Sequence, residues 1–221
     1  HCPYVFSLDD MTKIIGNYPE QIFYVSMNAL YDQYMMSEVE GYIEQLSQLP
    51  IQGIVFQDFG ILQIVKERGY TFDMMYAPET LNTNAMTLNV LQEQGVTSAF
   101  LSRVIPLDEQ CLIAQEVHMP VMLQGHGVEY IAASKRALLS NYKEASGLNL
   151  DINNHNDFTL LAKNSDYVFK IFEDSRGTHI FSETRLYTLD LFNQIHNFDY
   201  LYIETLMMGE EEAVEMASLY S

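Results

Sequence analysis

Short apolar segments rich in β-branched and aromatic residues alternate along this chain with segments whose apolar residues recur at helical spacing. This alternation is typical of strand–helix–strand units and predicts a parallel sheet in an α/β fold. The predicted strands cover residues 22–28, 53–57, 71–76, 97–101, 120–123 and 200–203.

Helical spacing predicts helices near residues 8–15, 84–94, 107–117 and 183–195. Another helix is predicted to begin at Ser37, because its hydroxyl can accept backbone N–H bonds as an N-cap and Glu40 completes a capping box. One face of that helix is apolar and consists of Val39, Tyr42, Ile43 and Leu46. Pro106 fits a first helical position, where its missing N–H costs nothing.

The alternation breaks after residue 123, and about 75 residues separate that strand from the next one. Ordinary connections are much shorter, so we expect a single domain over residues 1–221 with an inserted loop and hairpin at about 130–180. Residues 157–161 and 167–172 can pair as that hairpin. The strands could form an open doubly wound sheet or most of a barrel. No GxGxxG or GxxxxGK[ST] follows a strand, which disfavours a nucleotide-binding fold.

The chain is strongly acidic, with 11 Lys and Arg against 30 Asp and Glu and a formal charge of -19. Such a charge repels polyanions, so unaided binding to nucleic acid is disfavoured. No Lys or Arg lies between Lys13 and Lys66. The one tight basic group is Lys135, Arg136 and Lys143, which is either a solvated loop or an anion contact.

The two cysteines, Cys2 and Cys111, cannot form a disulfide framework, and Cys111 lies in an apolar helical segment as a buried structural thiol. No apolar run approaches the roughly 20 residues that span a bilayer, and no secretory leader is recognisable, so we expect a cytoplasmic protein. The sequence has neither an HExxH nor a GxSxG motif, and no metal site is expected. That prediction covers the remaining histidines, His118, His155, His179 and His196.

A series of short strings runs through nearly the whole chain: Phe56-Gln57-Asp58, Glu79-Thr80, Thr83-Asn84, Phe100-Leu101-Ser102-Arg103, His126-Gly127, Ser134-Lys135-Arg136, Phe172-Glu173-Asp174, Gly177-Thr178-His179 and Asp199-Tyr200-Leu201-Tyr202-Ile203-Glu204. In order and spacing they resemble the peptidase U32 family of bacterial proteins. That family is named for collagenase-like peptidases and is also tied to hydroxylation of the tRNA wobble uridine. The likeness is greatest to the shorter of the paired U32 proteins found in some Gram-positive bacteria.

The resemblance implies a TIM-like (β/α) barrel in which the strands of this chain are the third to the eighth. The first two strands would be absent, and the insertion would follow the seventh. Unpaired edges invite association, so we expect residues before His1 or a partner chain to cover the gap. That partner would be a second, longer U32 protein or another copy of this chain.

Barrel enzymes place their chemistry at the C-terminal ends of strands, and the resemblance puts polar residues of this chain there. Glu79 and Glu204 could act as acid and base or hold a cation, Arg103 could grip an anion, and His126 could shuttle a proton. The candidate substrate contacts are Asn28, Asp58, Lys135 and Arg136, and Gln57 lies at the same strand ends. Alternatively, these groups satisfy one another where no reaction takes place.

The chain departs from the family where the chemistry matters most. Tyr130 and Ala137 occupy positions where U32 enzymes carry cysteines, so this chain is not expected to hold an iron–sulfur cluster or another cofactor. Val104 stands where the family usually has an acid. Basic positions of the family are also lost, at Tyr202, Leu206 and Met208.

Three functions follow from these observations. The first is an accessory or degenerate subunit in tRNA wobble-uridine hydroxylation, which would contact tRNA only through its partner. The second is a collagenase-like peptidase, a hydrolase whose carboxylates activate water. The third is a barrel that binds a small anion through Arg103 and His126.

Overall fold

The computed structural model describes residues 6–79, 82–152, 158–161, 163 and 166–221. Cys2, Thr80 and His155 lie outside the described residues. The chain forms two compact units. The first consists of His1–Leu123 and Asn193–Leu201, and the second of Gln124–Phe192 and Tyr202–Ser221.

The first unit contains a run of parallel strands in which each strand pairs with the next one along the chain. The strands are β1 Tyr24–Met27, β2 Gly53–Phe56, β3 Asp73–Tyr76, β4 Ser98–Phe100 and the start of β5, Val121–Ser134. The last strand, β9, Tyr200–Ile203, pairs with β5. Next to it, the Asp199 N–H donates to the Val121 carbonyl over 3.1 Å, and the Val121 N–H donates to the Asp199 carboxylate over 3.0 Å.

Helices connect these strands, as the alternation predicts. They are α1 Leu8–Asn17, α2 Met36–Leu46, α3 Phe59–Arg68, α4 Ala85–Glu93 and α5 Leu107–Glu116, with a short 3-10 helix at Gln33–Met35. Capping residues set several starts: Ser7 forms a capping box with Asp10, and the Asn84 side chain accepts the Thr87 N–H over 2.9 Å. The apolar helix faces pack on the strands, around buried residues such as Ile43, Phe56 and Leu88.

In the second unit β5 continues and its neighbours run antiparallel to it and to one another. These strands are β6 Thr159–Leu161, β7 Val168–Asp174 and β8 Gly177–Tyr187. The helices are α6 Leu138–Ser146, a 3-10 helix Leu189–Gln194 and α7 Glu210–Leu219. A small core of Val128, Phe172 and Phe181 supports this sheet, with the two phenyl rings stacked 5.6 Å apart.

The α/β class is therefore confirmed, with both parallel and antiparallel strand pairs. The pairing of β6 with β7 also confirms the predicted hairpin for its described residues. A single domain over residues 1–221 with an insertion at about 130–180 stays a prediction.

Three predictions of secondary structure are wrong: the start of the helix at Ser37, the end of the strand at 120–123, and the helix at 183–195. Ser37 is no N-cap, because the 3-10 turn at Gln33–Met35 runs directly into α2 and places Ser37 inside the helix. Glu40 instead accepts a hydrogen bond from Arg68 over 2.7 Å. The strand at 120–123 does not end there but extends to Ser134, because antiparallel pairing with β8 continues it.

The helix predicted at 183–195 is a strand followed by a 3-10 helix. Residue-by-residue pairing of β8 with β5, for example Arg185 with Val128, outweighs the local helical spacing. Helices α3, α6 and α7 were not predicted. The start of α3 carries a recognisable signal, because Asp58 is its N-cap, and Gly69 at its end has the left-handed φ of 70°.

Helix α6 is capped from outside its own sequence. Its N-cap residue, Ala137, offers no side-chain acceptor. Instead the Glu173 carboxylate, on β7, accepts the Leu139 N–H over 2.8 Å, the Ser140 N–H over 3.2 Å and the Ser140 hydroxyl. Thr178 accepts the Leu138 N–H over 3.0 Å. The hairpin formed by β7 and β8 therefore satisfies the donors that every helix start leaves unpaired.

Replacing Glu173 with Ala should destabilise the protein by about 2 kcal/mol, because capping interactions and hydrogen bonds to charged groups are of this size. Glu183→Ala is the matched control, because Glu183 is an exposed acid of the same sheet. Urea unfolding followed by circular dichroism measures both variants. Equal unfolding free energies for the two would contradict the capping role.

Candidate functional site

Polar residues of the first unit follow the C-terminal ends of its parallel strands. Asn28 comes directly after β1, Gln57 directly after β2, and Glu79 shortly after β3. The Asn28 side-chain nitrogen donates to Glu79 Oε1 over 2.9 Å, and the Gln57 side-chain nitrogen donates to the Asn28 carbonyl over 3.1 Å. Parallel pairing thus brings residues far apart in sequence into one hydrogen-bonded chain.

Arg103, beyond the end of β4, joins the same group. Its Nη1 lies 3.7 Å from Glu79 Oε2, with the side chains only 17% and 13% exposed. This is an ion pair at a separation longer than a hydrogen bond. Glu79 also has a positive φ of 44°, which is uncommon outside glycine and costs about 1–3 kcal/mol when the surroundings hold it. The backbone therefore aims this carboxylate at Asn28 and Arg103 at some cost.

Asn82 also lies in the first unit near this group, since its carbonyl accepts the Ser102 N–H over 3.3 Å, and no sequence motif predicted its role. It is 2% exposed, has a φ of 69°, and donates to the Phe100 carbonyl over 2.9 Å. The amide nitrogens of Asn28 and Asn82 both face acceptors, so the orientation of both amides is fixed. The Oδ1 atom of each is buried and has no hydrogen-bond partner among the described residues. The ready acceptance of positive φ by Asn was the available signal.

Asp58 has a structural role in addition to its predicted place at the strand ends. Its Oδ1 accepts the Gly60 N–H over 2.8 Å as the N-cap of α3, and its Oδ2 accepts the Tyr31 N–H over 3.0 Å. Both carboxylate oxygens thus bind main-chain donors. A substrate contact by Asp58 stays a prediction.

His126 lies in β5 in the second unit and is only 6% exposed. The rings of Tyr187 and Tyr220 lie 5.8 and 6.0 Å from its ring. The preceding carbonyl, of Gly125, accepts the Tyr220 hydroxyl over 2.7 Å and the Thr188 hydroxyl over 2.9 Å. His126 Nδ1 is buried, and no described residue hydrogen-bonds to it. This histidine is therefore held in an aromatic pocket with one ring nitrogen unused.

The environment of His126 favours its neutral form. Burial is the main cause that lowers its pKa below the ordinary value of about 6.5, and the Arg185 guanidinium adds to this effect, whereas Glu212 opposes it. A neutral imidazole can accept a proton near neutral pH, as a general base requires.

Glu204 adjoins His126 through the main chain. Its N–H donates to the His126 carbonyl over 2.9 Å. Its carboxylate accepts the Tyr202 hydroxyl over 2.8 Å and the Leu206 N–H over 2.9 Å. The close approach depends on Gly127, because a Cβ there would lie 2.1 Å from the Glu204 carbonyl oxygen, and its φ is 107°.

The structure thus groups Asn28, Gln57, Glu79 and Arg103 in the first unit. His126 and Glu204 are neighbours in the second. The convergence of all these residues on one barrel end stays a prediction.

Two members of the basic group, Lys135 and Arg136, lie between β5 and α6, and the third, Lys143, lies in α6. Lys135 and Arg136 are exposed, and the Arg136 carbonyl accepts the Thr178 hydroxyl over 2.8 Å. Lys143 donates to the Leu150 carbonyl over 2.7 Å, which ties it to its own loop. Both interpretations of Lys135 and Arg136, a solvated loop and an anion contact, remain open.

His179 has a structural role. It is 2% exposed, and its Nε2 lies 3.0 Å from Asp174 Oδ1. Burial acts to raise the pKa of Asp174, but hydrogen bonds from His179 and the Arg176 N–H outweigh it and lower that pKa. Within the described part of the chain, no group of three or more His, Cys, Asp or Glu side chains could hold a metal ion.

Cys111 lies in α5, as predicted, but it is only half-buried, and its thiol donates to the Gln194 carbonyl over 3.4 Å. The helix is amphipathic and turns this position partly toward solvent, so the expectation of full burial is wrong. None of the described helices is both long and apolar enough to cross a membrane.

Gly127→Ala should destabilise the protein by about 2–6 kcal/mol, the sum of about 1–3 for backbone strain and about 1–3 for overpacking. Gly209→Ala is the control, because nothing lies within 4 Å of a Cβ built there. Thermal and urea unfolding measure the difference. A Gly127→Ala protein as stable as the control would refute the close approach to Glu204.

Histidine-resolved NMR titration should give His126 a pKa below 6.5, and Arg185→Gln should raise that pKa because it removes a nearby positive charge. The unfolded chain then binds the proton first as pH falls. The contribution of neutral His126 to the free energy of unfolding is therefore full above about pH 6.5, and it is lost as the pH falls through the pKa of His126 in the folded protein. Arg176→Gln, beside Asp174, is the control. An unshifted His126 pKa in Arg185→Gln would contradict this electrostatic account.

Comparison with known proteins agrees with the sequence strings. The chain is 27% identical over 222 residues to tRNA hydroxylation protein P2 of Bacillus subtilis (strain 168). The alignment covers 97% of this chain and 72% of that relative. No solved structure is significantly similar to this chain. The sequence model of peptidase family U32 matches residues 4–221 of this chain. The chain therefore belongs to peptidase family U32.

Proposed function

We propose that this chain is an accessory subunit in the hydroxylation of the tRNA wobble uridine and acts together with a second, longer U32 protein in the cytoplasm. The observation that carries the proposal is the likeness to tRNA hydroxylation protein P2 along 97% of the chain. Membership of family U32 over residues 4–221 supports it.

The proposed fold is a TIM-like (β/α) barrel without its first two strands. Consecutive parallel strands β1 to β5, with helices between them, support this proposal. In such a barrel the C-terminal ends of the strands form one reaction face.

The proposed chemistry of that face follows from the contacts. Arg103 would hold an anionic group of the reactant. Its guanidinium lies 3.7 Å from the Glu79 carboxylate, which is beyond hydrogen-bond distance, so the N–H groups on that side can still donate to an anion. His126, neutral because its pKa is low, would take up a proton.

The subunit role rests on what this sequence lacks. Its two cysteines cannot supply the four thiolates that usually hold an iron–sulfur cluster. Its charge of -19 opposes direct binding of a polyanion. A partner would therefore supply both the cluster and most contacts to tRNA. The peptidase alternative rests on the family name, and the anion-binding alternative rests on Arg103 and His126.

Deleting the gene for this chain should abolish 5-hydroxylation of the wobble uridine, measured by mass spectrometry of purified tRNA. Wild type and Glu93→Ala, which alters an exposed acid at the end of α4, should restore it. Glu79→Ala and Arg103→Ala should lower the hydroxylated fraction, because misplacing reacting groups costs on the order of 10²-fold in rate.

A deletion strain with fully hydroxylated tRNA would refute the proposed function. Full restoration by both Glu79→Ala and Arg103→Ala would instead show that the subunit acts without chemistry at this site. Release of gelatin fragments by the purified protein, abolished in Glu79→Ala, would favour the peptidase alternative.

A further inference from the structure

Gln124, near the start of β5, is a buried glutamine whose side chain bonds to the main chain of its own strand. It is 5% exposed, and its Nε2 atom donates to the carbonyls of His126, Gly127 and Val128 over 3.3, 3.3 and 3.0 Å. Carbonyls alternate in direction along a regular strand, so three successive ones meet one nitrogen only where the strand bends. Gly127, with its φ of 107°, permits that bend. A single side chain therefore fixes the main chain of the segment that carries His126.

One half of the Gln124 amide is unused. Its Oε1 atom is buried and has no hydrogen-bond partner in the described part of the chain. The amide cannot exchange its two ends, because Oε1 would then face three carbonyl oxygens. A buried acceptor without a partner destabilises a protein and calls for an explanation. The core thus contains a destabilising group together with the bonds that fix the main chain at His126.

The peptide group before His126 is fixed as well. The Gly125 carbonyl accepts the Tyr220 hydroxyl over 2.7 Å, and it also accepts the Thr188 hydroxyl and N–H over 2.9 and 3.1 Å. The Tyr220 ring lies 6.0 Å from the His126 ring. Tyr220 therefore contacts both the ring of His126 and the peptide group before it, whereas Gln124 holds the peptide group after it.

The His126 carbonyl also connects the histidine to Glu204. Gln124 Nε2 and the Glu204 N–H both donate to this carbonyl, over 3.3 and 2.9 Å. All of these residues belong to the second unit. Removing the Gln124 donor would therefore loosen both candidate site residues of that unit.

We propose that Gln124 and Tyr220 are positioning residues, which hold the His126 imidazole in the place where one of its nitrogens takes up a proton from the reactant; the proposal rests on the proposed function. Sequence patterns had assigned neither residue to the site. Positioning matters because a displacement of about 1 Å costs on the order of 10²-fold in rate. A glutamine that only satisfied carbonyls would influence stability and leave the rate unchanged.

Gln124→Met tests this role, because methionine has a similar length and lacks the N–H donors. Gln110→Met is the matched control, since Gln110 is also buried, at 9% exposed, and its Nε2 donates to the Ile105 carbonyl over 3.0 Å in the first unit. Each variant is expressed in the deletion strain, and wobble-uridine hydroxylation is followed over time by mass spectrometry of tRNA. The purified proteins are compared by urea unfolding and by NMR titration of His126, whose signal is identified by its loss in His126→Gln.

Gln124→Met should slow hydroxylation about tenfold or more, whereas Gln110→Met should lose stability and keep the wild-type rate. The His126 pKa should rise toward 6.5 in Gln124→Met alone, because a loosened segment admits water to the buried ring. Tyr220→Phe keeps the ring and removes the hydroxyl, so it should change the rate and the His126 pKa in the same directions. This second variant decides the question if Gln124→Met does not fold.

Wild-type rates and an unchanged His126 pKa in Gln124→Met and Tyr220→Phe would overturn the proposal. A rate in Gln124→Met no lower than in Gln110→Met would do the same, because the effect would then follow stability alone. Full hydroxylation with His126→Gln would also overturn it, since the reaction would not use the histidine, and the accessory role of the subunit would stand. A deletion strain with fully hydroxylated tRNA would instead refute the proposed function, and the positioning role with it.

Discussion

Parallel hydrogen bonding between successive strands is the constraint on which the candidate site depends. It sets Tyr24 opposite Gly53 and Gly53 opposite Asp73, so the strands of the first unit end at a common edge. The residues that follow each strand therefore lie close together at that edge. For this reason Asn28 can hydrogen-bond to Glu79, although the two are 51 residues apart in sequence. A one-residue slip in register would turn every side chain to the other face of the sheet. The strained backbone at Glu79 is tolerable because this frame holds it.

Several strings that identify the family have structural explanations in this chain. Asp58 caps a helix and anchors a loop, and Glu173 with Thr178 caps α6 from a neighbouring hairpin. His179 is bound to Asp174 in the same hairpin. These residues maintain the fold, whereas the buried Asn28 Oδ1 and His126 Nδ1 have no hydrogen-bond partner among the described residues. Retained strings therefore do not all indicate retained chemistry.

The acidity of the chain bears on the kind of partner that it can contact. An acidic surface opposes contact with nucleic acid but favours a basic protein. In the proposed subunit, the partner would contribute the cluster and the RNA contacts, and this chain would contribute the first-unit polar group. Function would then require the assembly.

The sequence by itself determined the strand–helix alternation, the bounds of β9, the α1, α4 and α5 helices within a few residues, and the family. These features depend on local spacing, capping and the order of strings, which neighbouring residues encode. Only the tertiary structure decided that β5 continues to Ser134 and that Glu173 caps α6. It also decided that residues from 183 onward continue β8, although their apolar spacing fits a helix. The same holds for Asn82, whose position depends on a bond to Phe100. Each of these features arises from hydrogen bonds between segments distant in sequence, and a local pattern carries no information about such pairing.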